Sequence, residues 1–132
     1  MKYLLDTNTC IEFLRSKNVR LIQRVSAVSS ADIKLCSPVL AELYFGAYRS
    51  AKRVQNLAKI KAFVAPFAIL SFDEGAAGEY AGIRDYLESQ GTPIGPYDLQ
   101  IAAIARMNGL TLVTNNTREF QRVPNLLLEN WQ

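Results

Sequence analysis

Three acidic residues of this sequence, Asp6, Glu42 and Asp98, have no basic residue three or four positions away on the helices predicted around them. Glu12 and Glu88, in contrast, each have an arginine at the spacing that allows an ion pair. A carboxylate without a compensating group is costly to bury. Ligand sets made only of oxygen suit Mg²⁺ or Mn²⁺, which keep several waters and use few protein carboxylates. The three acids are therefore predicted to gather around one such ion.

Each acid also has a simpler structural interpretation. Asp6 and Asp98 both stand where a helix needs an N-cap, a position that asparagine or serine fills equally well. Glu42 can reach solvent from the edge of its helix. For Asp6 or Asp98 alone we favour the cap. The metal site is favoured only by the three acids taken together.

The composition limits the chemistry that the protein can perform. Its 132 residues contain no histidine, which excludes Ser-His-Asp and Cys-His catalysis and histidine metal sites. The two cysteines, Cys10 and Cys36, lie in apolar stretches and are too few for a zinc cage. The net charge of +3 permits nucleic-acid binding without requiring it. No apolar run is long enough for a signal peptide or a membrane span, so a soluble, cytoplasmic protein is expected.

Short apolar runs alternate with amphipathic segments, which predicts a single α/β domain over residues 1–132 with a mostly parallel sheet. Strands are predicted over residues 2–5, 33–36, 67–72, 110–114 and 126–128. Helices are predicted from residue 11 to about 16, over 19–28, from 37 through 47, over 51–64, from 73 through 87 and over 99–107. In parallel sheets, binding sites form at the carboxyl ends of the strands. Asp6 and Thr114 stand at two such ends, and the helix of Glu42 follows a third.

Four sequence motifs are informative about the family of the protein. In chain order they are LLDTN, SPVLAELYFGA, GTPIGPYDLQIAAIA and LVTNNTREFQRVPNL. Together they resemble the PIN-domain ribonucleases, and within these the VapC-type toxins of bacterial type II toxin–antitoxin pairs. The resemblance extends from Tyr3 to Trp131. It implies a three-layer α/β/α Rossmann-like sandwich and metal-dependent endonuclease activity on RNA.

The resemblance also implies roles for the three acids. Asp6 matches the strand-end acid of the family, Glu42 the helix acid, and Asp98 the acid that follows the GPY turn. Mg²⁺ (or Mn²⁺) is expected to be held by Asp6 and Asp98, with Glu42 bound directly or through water. The ion would lower the pKa of a bound water and offset charge on the phosphate.

Thr114 matches the small hydroxyl residue beside the family's metal site. Thr114, Asn8 and Thr7 are candidates for orienting the acids through hydrogen bonds. For Thr7 and Asn8 we favour the simpler interpretation, in which they satisfy the start of the helix.

At one position this sequence departs from the family pattern. Many members carry a fourth acid where this chain has Asn116, which places the second metal position in doubt. Glu119, one helical turn further on, can reach inward and replace that acid. Equally, Glu119 can be a solvated residue that pairs with Arg122 or caps a turn. The candidate catalytic set is thus Asp6, Glu42, Asp98, Asn116 and Glu119.

The resemblance implies several partners. These are a homodimer copy, a VapB-type antitoxin whose C-terminal segment fills the cleft, and a structured RNA loop in tRNA or ribosomal RNA. The GTPIGPYD stretch is most similar to members that act on initiator tRNA. DNA would be contacted only through the antitoxin, and no membrane partner is expected.

Two other functions were weighed. Asn116 favours a non-catalytic metal- or RNA-binding module that keeps the fold without the chemistry. An aspartate-nucleophile phosphatase would need a second aspartate two residues after Asp6, and position 8 is asparagine.

A run of thirteen residues contains five basic side chains and no acid: Arg49, Lys52, Arg53, Lys59 and Lys61. Such a run is usually a solvated helix face, and beside a nuclease site it can also contact phosphates. The nearby aromatic residues are expected to be mostly core, with one or two free to stack on a base; they are Phe13, Tyr44, Phe45 and Tyr48.

Overall fold

The computed structural model describes residues 2–132 and contains a five-stranded sheet in which every pairing is parallel. The strands are β1 (Tyr3–Leu5), β2 (Ile33–Cys36), β3 (Ala68–Leu70), β4 (Thr111–Val113) and β5 (Leu127–Glu129). They lie side by side in the order β3-β2-β1-β4-β5. The strand order therefore reverses at β1 and β4, and their carboxyl ends are neighbours at the point where such sheets form binding sites.

The helices alternate with the strands, as the sequence pattern predicts. They are α1 (Thr7–Arg15), α2 (Val19–Ala27), α3 (Ser37–Arg49), α4 (Arg53–Val64), α5 (Glu74–Ser89), α6 (Pro96–Met107) and the single turn α7 (Thr117–Phe120), with a 3₁₀ turn at Ser30–Asp32. Helix α5 packs on α6, and α3 packs on α4 and α1. The predicted α/β/α sandwich with a parallel sheet is confirmed.

Two helices begin earlier than predicted, for local chemical reasons. Helix α1 begins at Thr7 because the side chain of Asp6 accepts a hydrogen bond from the backbone of Thr9. Helix α6 begins at Pro96, three residues before the predicted start, because proline suits the first helical position, where no N–H partner is needed.

The core is built on the central strands and on one deeply buried helix. Strands β1, β2 and β4 contribute fully buried leucines and Val113. The segment Ile101–Ala105 of α6 has five consecutive buried residues, three of them alanine, so this helix packs closely on its neighbours. No helix in the described part of the chain has both the length and the apolar character needed to cross a membrane.

Both cysteines are buried free thiols, as predicted. Burial is the main cause that raises the pKa of Cys36 to about 12, and it also raises the pKa of Cys10. Both groups therefore remain protonated at neutral pH and pack as small apolar side chains.

Replacing threonine by valine is expected to change the stability of the protein in opposite directions at two buried positions. The hydroxyl of Thr111 in β4 has no hydrogen-bond partner among residues 2–132, whereas the hydroxyl of Thr9 donates to the carbonyl of Val113 at 3.1 Å. Thr111→Val should raise the free energy of unfolding by about 1 kcal/mol, and Thr9→Val should lower it by a similar amount. Urea unfolding midpoints measure both. A loss of stability in Thr111→Val as large as that in Thr9→Val would contradict the assignment.

Candidate active site

A cleft of about 240 Å³ lies at the carboxyl end of β1. The structure brings the three predicted acids to this cleft, although 36 and 56 residues separate them in the sequence. The lining residues are Asp6, Thr7, Asn8, Glu42, Gly95, Pro96, Tyr97 and Asp98. The site is thus assembled from the β1–α1 junction, the second turn of α3 and the start of α6.

Asp6 serves two purposes at once. It is the N-cap of α1, and its Oδ1 accepts from the backbone N–H of Thr9 at 2.8 Å, so the capping interpretation is confirmed for one oxygen. Its own N–H donates to the carbonyl of Val113 in β4 at 3.1 Å. Within the described chain no hydrogen bond engages Oδ2 of this 4% exposed side chain. The cap therefore orients the carboxylate and leaves one oxygen for a ligand.

Asp98 is not a helix cap, so that interpretation is wrong for this residue. It is the third residue of α6, whose N-cap is Gly95. Asp98 forms no ion pair with any residue among 2–132. Burial is the main cause that raises the pKa of its carboxyl from 3.8 to about 6, and the negative charges of Glu119, Asp6 and Glu42 contribute the rest of this rise. The four acids are therefore close enough to repel one another.

Glu42 is half-buried on α3 and forms no ion pair within the described residues. It lines the cleft and also an adjoining apolar groove of about 410 Å³. The expectation that it reaches solvent from a helix edge is only partly met, since the side chain faces two concave surfaces.

Asn116 and Glu119 form a hydrogen-bonded pair beside the cleft. The side-chain amide of Asn116 donates to Oε2 of Glu119 at 2.9 Å, and the backbone N–H of Gly95 donates to Oε1 at 3.4 Å. Arg122 does not pair with Glu119; its guanidinium donates to the carbonyl of Pro93 instead. Glu119 therefore faces inward, and it is held by the turn that precedes α6.

The predicted orienting residues make no direct hydrogen bond to a candidate acid within residues 2–132. Thr114 is fully buried, and its hydroxyl accepts from the backbone N–H of Asn116 at 2.9 Å, so it shapes the turn after β4. Thr7 and Asn8 line the cleft as the first two residues of α1, and the cap at the start of this helix is Asp6.

Two contributors were missed in the sequence. Thr9 fixes the junction of β1 and α1 through its backbone bond to Asp6 and its hydroxyl bond to Val113. The sequence feature that could have identified Thr9 is its position three residues after an aspartate that caps a helix. Tyr97 lines the cleft with 58% of its surface exposed, next to Asp98 in sequence, and no local pattern distinguishes it from a core tyrosine.

The donor set fits a hydrated divalent cation. Every polar side chain that lines the cleft has an oxygen atom, and the amide of Asn8 is the one that also carries a nitrogen. The negative charges of the neighbouring acids also disfavour the ionised form of Asp98, and a bound cation would offset this repulsion. No three acidic or thiol side chains among the described residues are placed to hold an ion directly. Mg²⁺ and Mn²⁺ suit such a site because they prefer oxygen ligands, bind through only one or two carboxylates and retain waters.

Comparison with known proteins identifies the family of this chain. A family model described as PIN domain matches residues 3–126. The chain therefore belongs to the PIN-domain family.

Its place within that family follows from its relatives. The chain is 41% identical over 131 residues to the tRNA(fMet)-specific endonuclease VapC of Shigella flexneri and 39% identical to that of Salmonella typhimurium. Each alignment covers 99% of this chain and 98% of the relative. The crystal structure of DNA-bound VapBC from Salmonella typhimurium matches it with a TM-score of 0.95 at 39% identity, covering 100% of this chain and 99% of that chain. The chain thus falls among the VapC ribonucleases.

The raised pKa of Asp98 predicts how pH affects stability in EDTA. Because the folded state binds this proton more tightly than the unfolded chain, stability falls as pH rises from about 4 to about 6. Asp98→Asn removes that loss and should stabilise the metal-free protein at neutral pH by about 1 kcal/mol, a figure reduced for the exposure of the side chain. Urea unfolding of both proteins at acidic and neutral pH measures the effect. A difference that does not change with pH would contradict the electrostatic cause.

Proposed function

We propose that this chain is an Mg²⁺- or Mn²⁺-dependent endoribonuclease that acts as the toxin of a toxin–antitoxin pair. Its substrate is a structured RNA loop, that of initiator tRNA. The proposal is carried by the convergence of Asp6, Glu42 and Asp98 on one cleft. The charges of Asp6 and Glu42 repel that of Asp98, and none of the three forms an ion pair with a basic side chain among residues 2–132. The relatives named tRNA(fMet)-specific endonucleases support the choice of substrate.

Each of the three acids has its own role in binding the ion, which follows from its position in the fold. Asp6 offers Oδ2 from a carboxylate that Thr9 already holds in place, so little reorganisation is needed to bind an ion. Asp98 lies in the first turn of α6, where the helix dipole favours its ionised form and an added cation offsets its repulsion with the other acids. Glu42 approaches from α3 and contacts the ion directly or through water. When bound, the ion lowers the pKa of water and offsets charge on the phosphate.

Asn116 and Glu119 favour one resident ion. An amide brings no charge to help remove waters from Mg²⁺. Both oxygens of Glu119 already accept hydrogen bonds, from Asn116 and from Gly95. These two bonds reduce the charge that Glu119 can offer to a second ion, so we infer that a second ion would be recruited only with the RNA.

The antitoxin is proposed to occupy the apolar groove beside the cleft. The groove is lined by Ile11, Leu14, Leu43, Gly46, Ala47 and Ile60, with Glu42 at its junction with the cleft and Arg15, Asn56 and Lys59 also in its wall. An apolar helix suits the groove, and a basic side chain at its end would reach the acids. The VapBC complex from Salmonella typhimurium is DNA-bound, and we infer that this chain likewise meets DNA only through its antitoxin. The homodimer stays a prediction.

A second function, a non-catalytic RNA- or metal-binding module, is favoured by Asn116 in the place of an acid. It predicts RNA binding without cleavage, so one assay distinguishes the two functions.

Asp6→Asn and Asp98→Asn should each lower the rate of tRNA cleavage roughly a hundredfold or more, because each removes a ligand charge. Excess EDTA should abolish cleavage, and Mn²⁺ or Mg²⁺ should restore it. Asp85→Asn is the matched control, since Asp85 is an exposed acid of α5 that does not line the cleft. The measurement is gel-resolved cleavage of tRNA transcripts. Full activity in EDTA, or in either folded site variant, would refute the mechanism.

Gly46→Leu should block the groove without distorting α3, because Gly46 lines the groove and a Cβ at this position would meet no atom within 4 Å. We expect the antitoxin to inhibit this variant at least tenfold less strongly while tRNA cleavage stays unchanged. Gly82→Leu is the control, since Gly82 is an equally open glycine of α5 outside the groove. Inhibition titrations with the cognate antitoxin measure both. Equal inhibition of both variants would place the antitoxin elsewhere.

A further inference from the structure

We propose that the corner between α3 and α4 binds the RNA strand that continues beyond the acid cleft. We name this surface the basic corner, and it consists of Phe45, Tyr48, Arg49, Lys52 and Arg53. The inference rests on the proposed function, because it assigns the second contact of the RNA that the cleft cleaves.

The basic corner begins one turn beyond Glu42. Phe45 and Tyr48 follow it at intervals of three residues on α3, and Tyr48 lies roughly 9 Å from Glu42 along the helix axis. Phe45 is 61% exposed and Tyr48 is 55% exposed, whereas Phe13 and Tyr44 pack against the core, so two of these aromatics are free to stack, as expected. Exposed aromatic rings stack on unpaired bases of any sequence.

Arg53 is held in place at this corner. Its Nε and Nη2 donate to the carbonyl of Tyr48 at 3.2 and 2.9 Å, and its guanidinium lies 4.7 Å from the centre of the Tyr48 ring. The hydroxyl of Ser50 donates to the carbonyl of Ala47 at 2.7 Å and accepts from the amide of Asn56 at 2.9 Å. These bonds fix the turn between the helices, so a planar cation is already positioned before RNA arrives.

The charge of the surface favours RNA as the occupant. The sequence has no acid between Glu42 and Asp73, and the five basic side chains of this stretch are all exposed. The ion pairs within residues 2–132 use other cations, namely Arg15, Arg24, Arg84 and Arg106. A second copy of this chain placed on the corner about a twofold axis would bring like charges together. A phosphate backbone meets the same surface with opposite charge.

The test compares two charge-matched double variants for binding of a fluorescein-labelled RNA hairpin. Lys52→Ala/Arg53→Ala changes the basic corner. Lys2→Ala/Lys34→Ala is the control, because Lys2 precedes β1 and the Lys34 ammonium reaches back to the carbonyl of Ala31 before β2. These control cations lie toward the amino-terminal ends of β1 and β2, whereas the cleft lies at the carboxyl-terminal end of β1. All proteins carry Asp98→Asn and are kept in EDTA, so binding is read without cleavage.

We expect the corner variant to bind the hairpin at least tenfold more weakly and the control to change by about twofold or less. The slope of log Kd against log salt concentration should become shallower by about 1.4 to 1.8 in the corner variant, since two phosphate contacts are lost. Tyr48→Leu should weaken hairpin binding at an unchanged slope, and blunt duplex RNA should not respond to it.

Three results would overturn the inference. They are equal loss of binding in both double variants, a change in sedimentation of the corner variant that reveals a copy interface, and loss of antitoxin binding with RNA binding intact. Failure of the proposed function is distinguishable, because it would be recorded as absent cleavage by the unmodified chain, whereas hairpin binding is measured separately.

Discussion

The carbonyl of Val113 holds the site together. It accepts hydrogen bonds from the backbone of Asp6 and from the hydroxyl of Thr9, so the end of β4 is fastened to the start of α1. Asp6 in turn caps α1 through Thr9, which fixes the direction of its carboxylate. The acid is therefore positioned by backbone geometry that sheet pairing already imposes, and α3 and α6 then bring Glu42 and Asp98 to the same place.

The acids that converge there work against the stability of the fold. Burial and three neighbouring negative charges raise the pKa of Asp98, so its ionised form is disfavoured in the folded protein. The remainder of the chain compensates with a densely packed core, in which α6 is buried along Ile101–Ala105 directly after the turn that carries Asp98. Such an opposition between site and stability is common at functional sites.

Much of this arrangement could be predicted because it is encoded locally or in the order of elements. Apolar runs identified the strands within a few residues, and the strand-end position of Asp6 followed from them. Glu42 and Asp98 could be predicted because no basic residue lies at helical spacing from them, and the family resemblance added Asn116 and Glu119. The bond between Asn116 and Glu119, the role of Thr9 and the exposure of Phe45 and Tyr48 were not accessible, because they depend on contacts between distant segments. Asp98 is not the cap that the sequence suggests, because α6 already begins at Pro96, two residues earlier.

Glu42 belongs to the walls of two concave surfaces, the cleft and the apolar groove. A ligand in one changes the environment of a side chain that the other uses, so the two binding equilibria are thermodynamically linked. Linkage is reciprocal: the factor by which an occupant of the groove weakens cation binding in the cleft equals the factor by which the cation weakens that occupant. Under the proposed function, the supply of free divalent cation would thus adjust how tightly an occupant of the groove is bound, without any change in the abundance of that occupant.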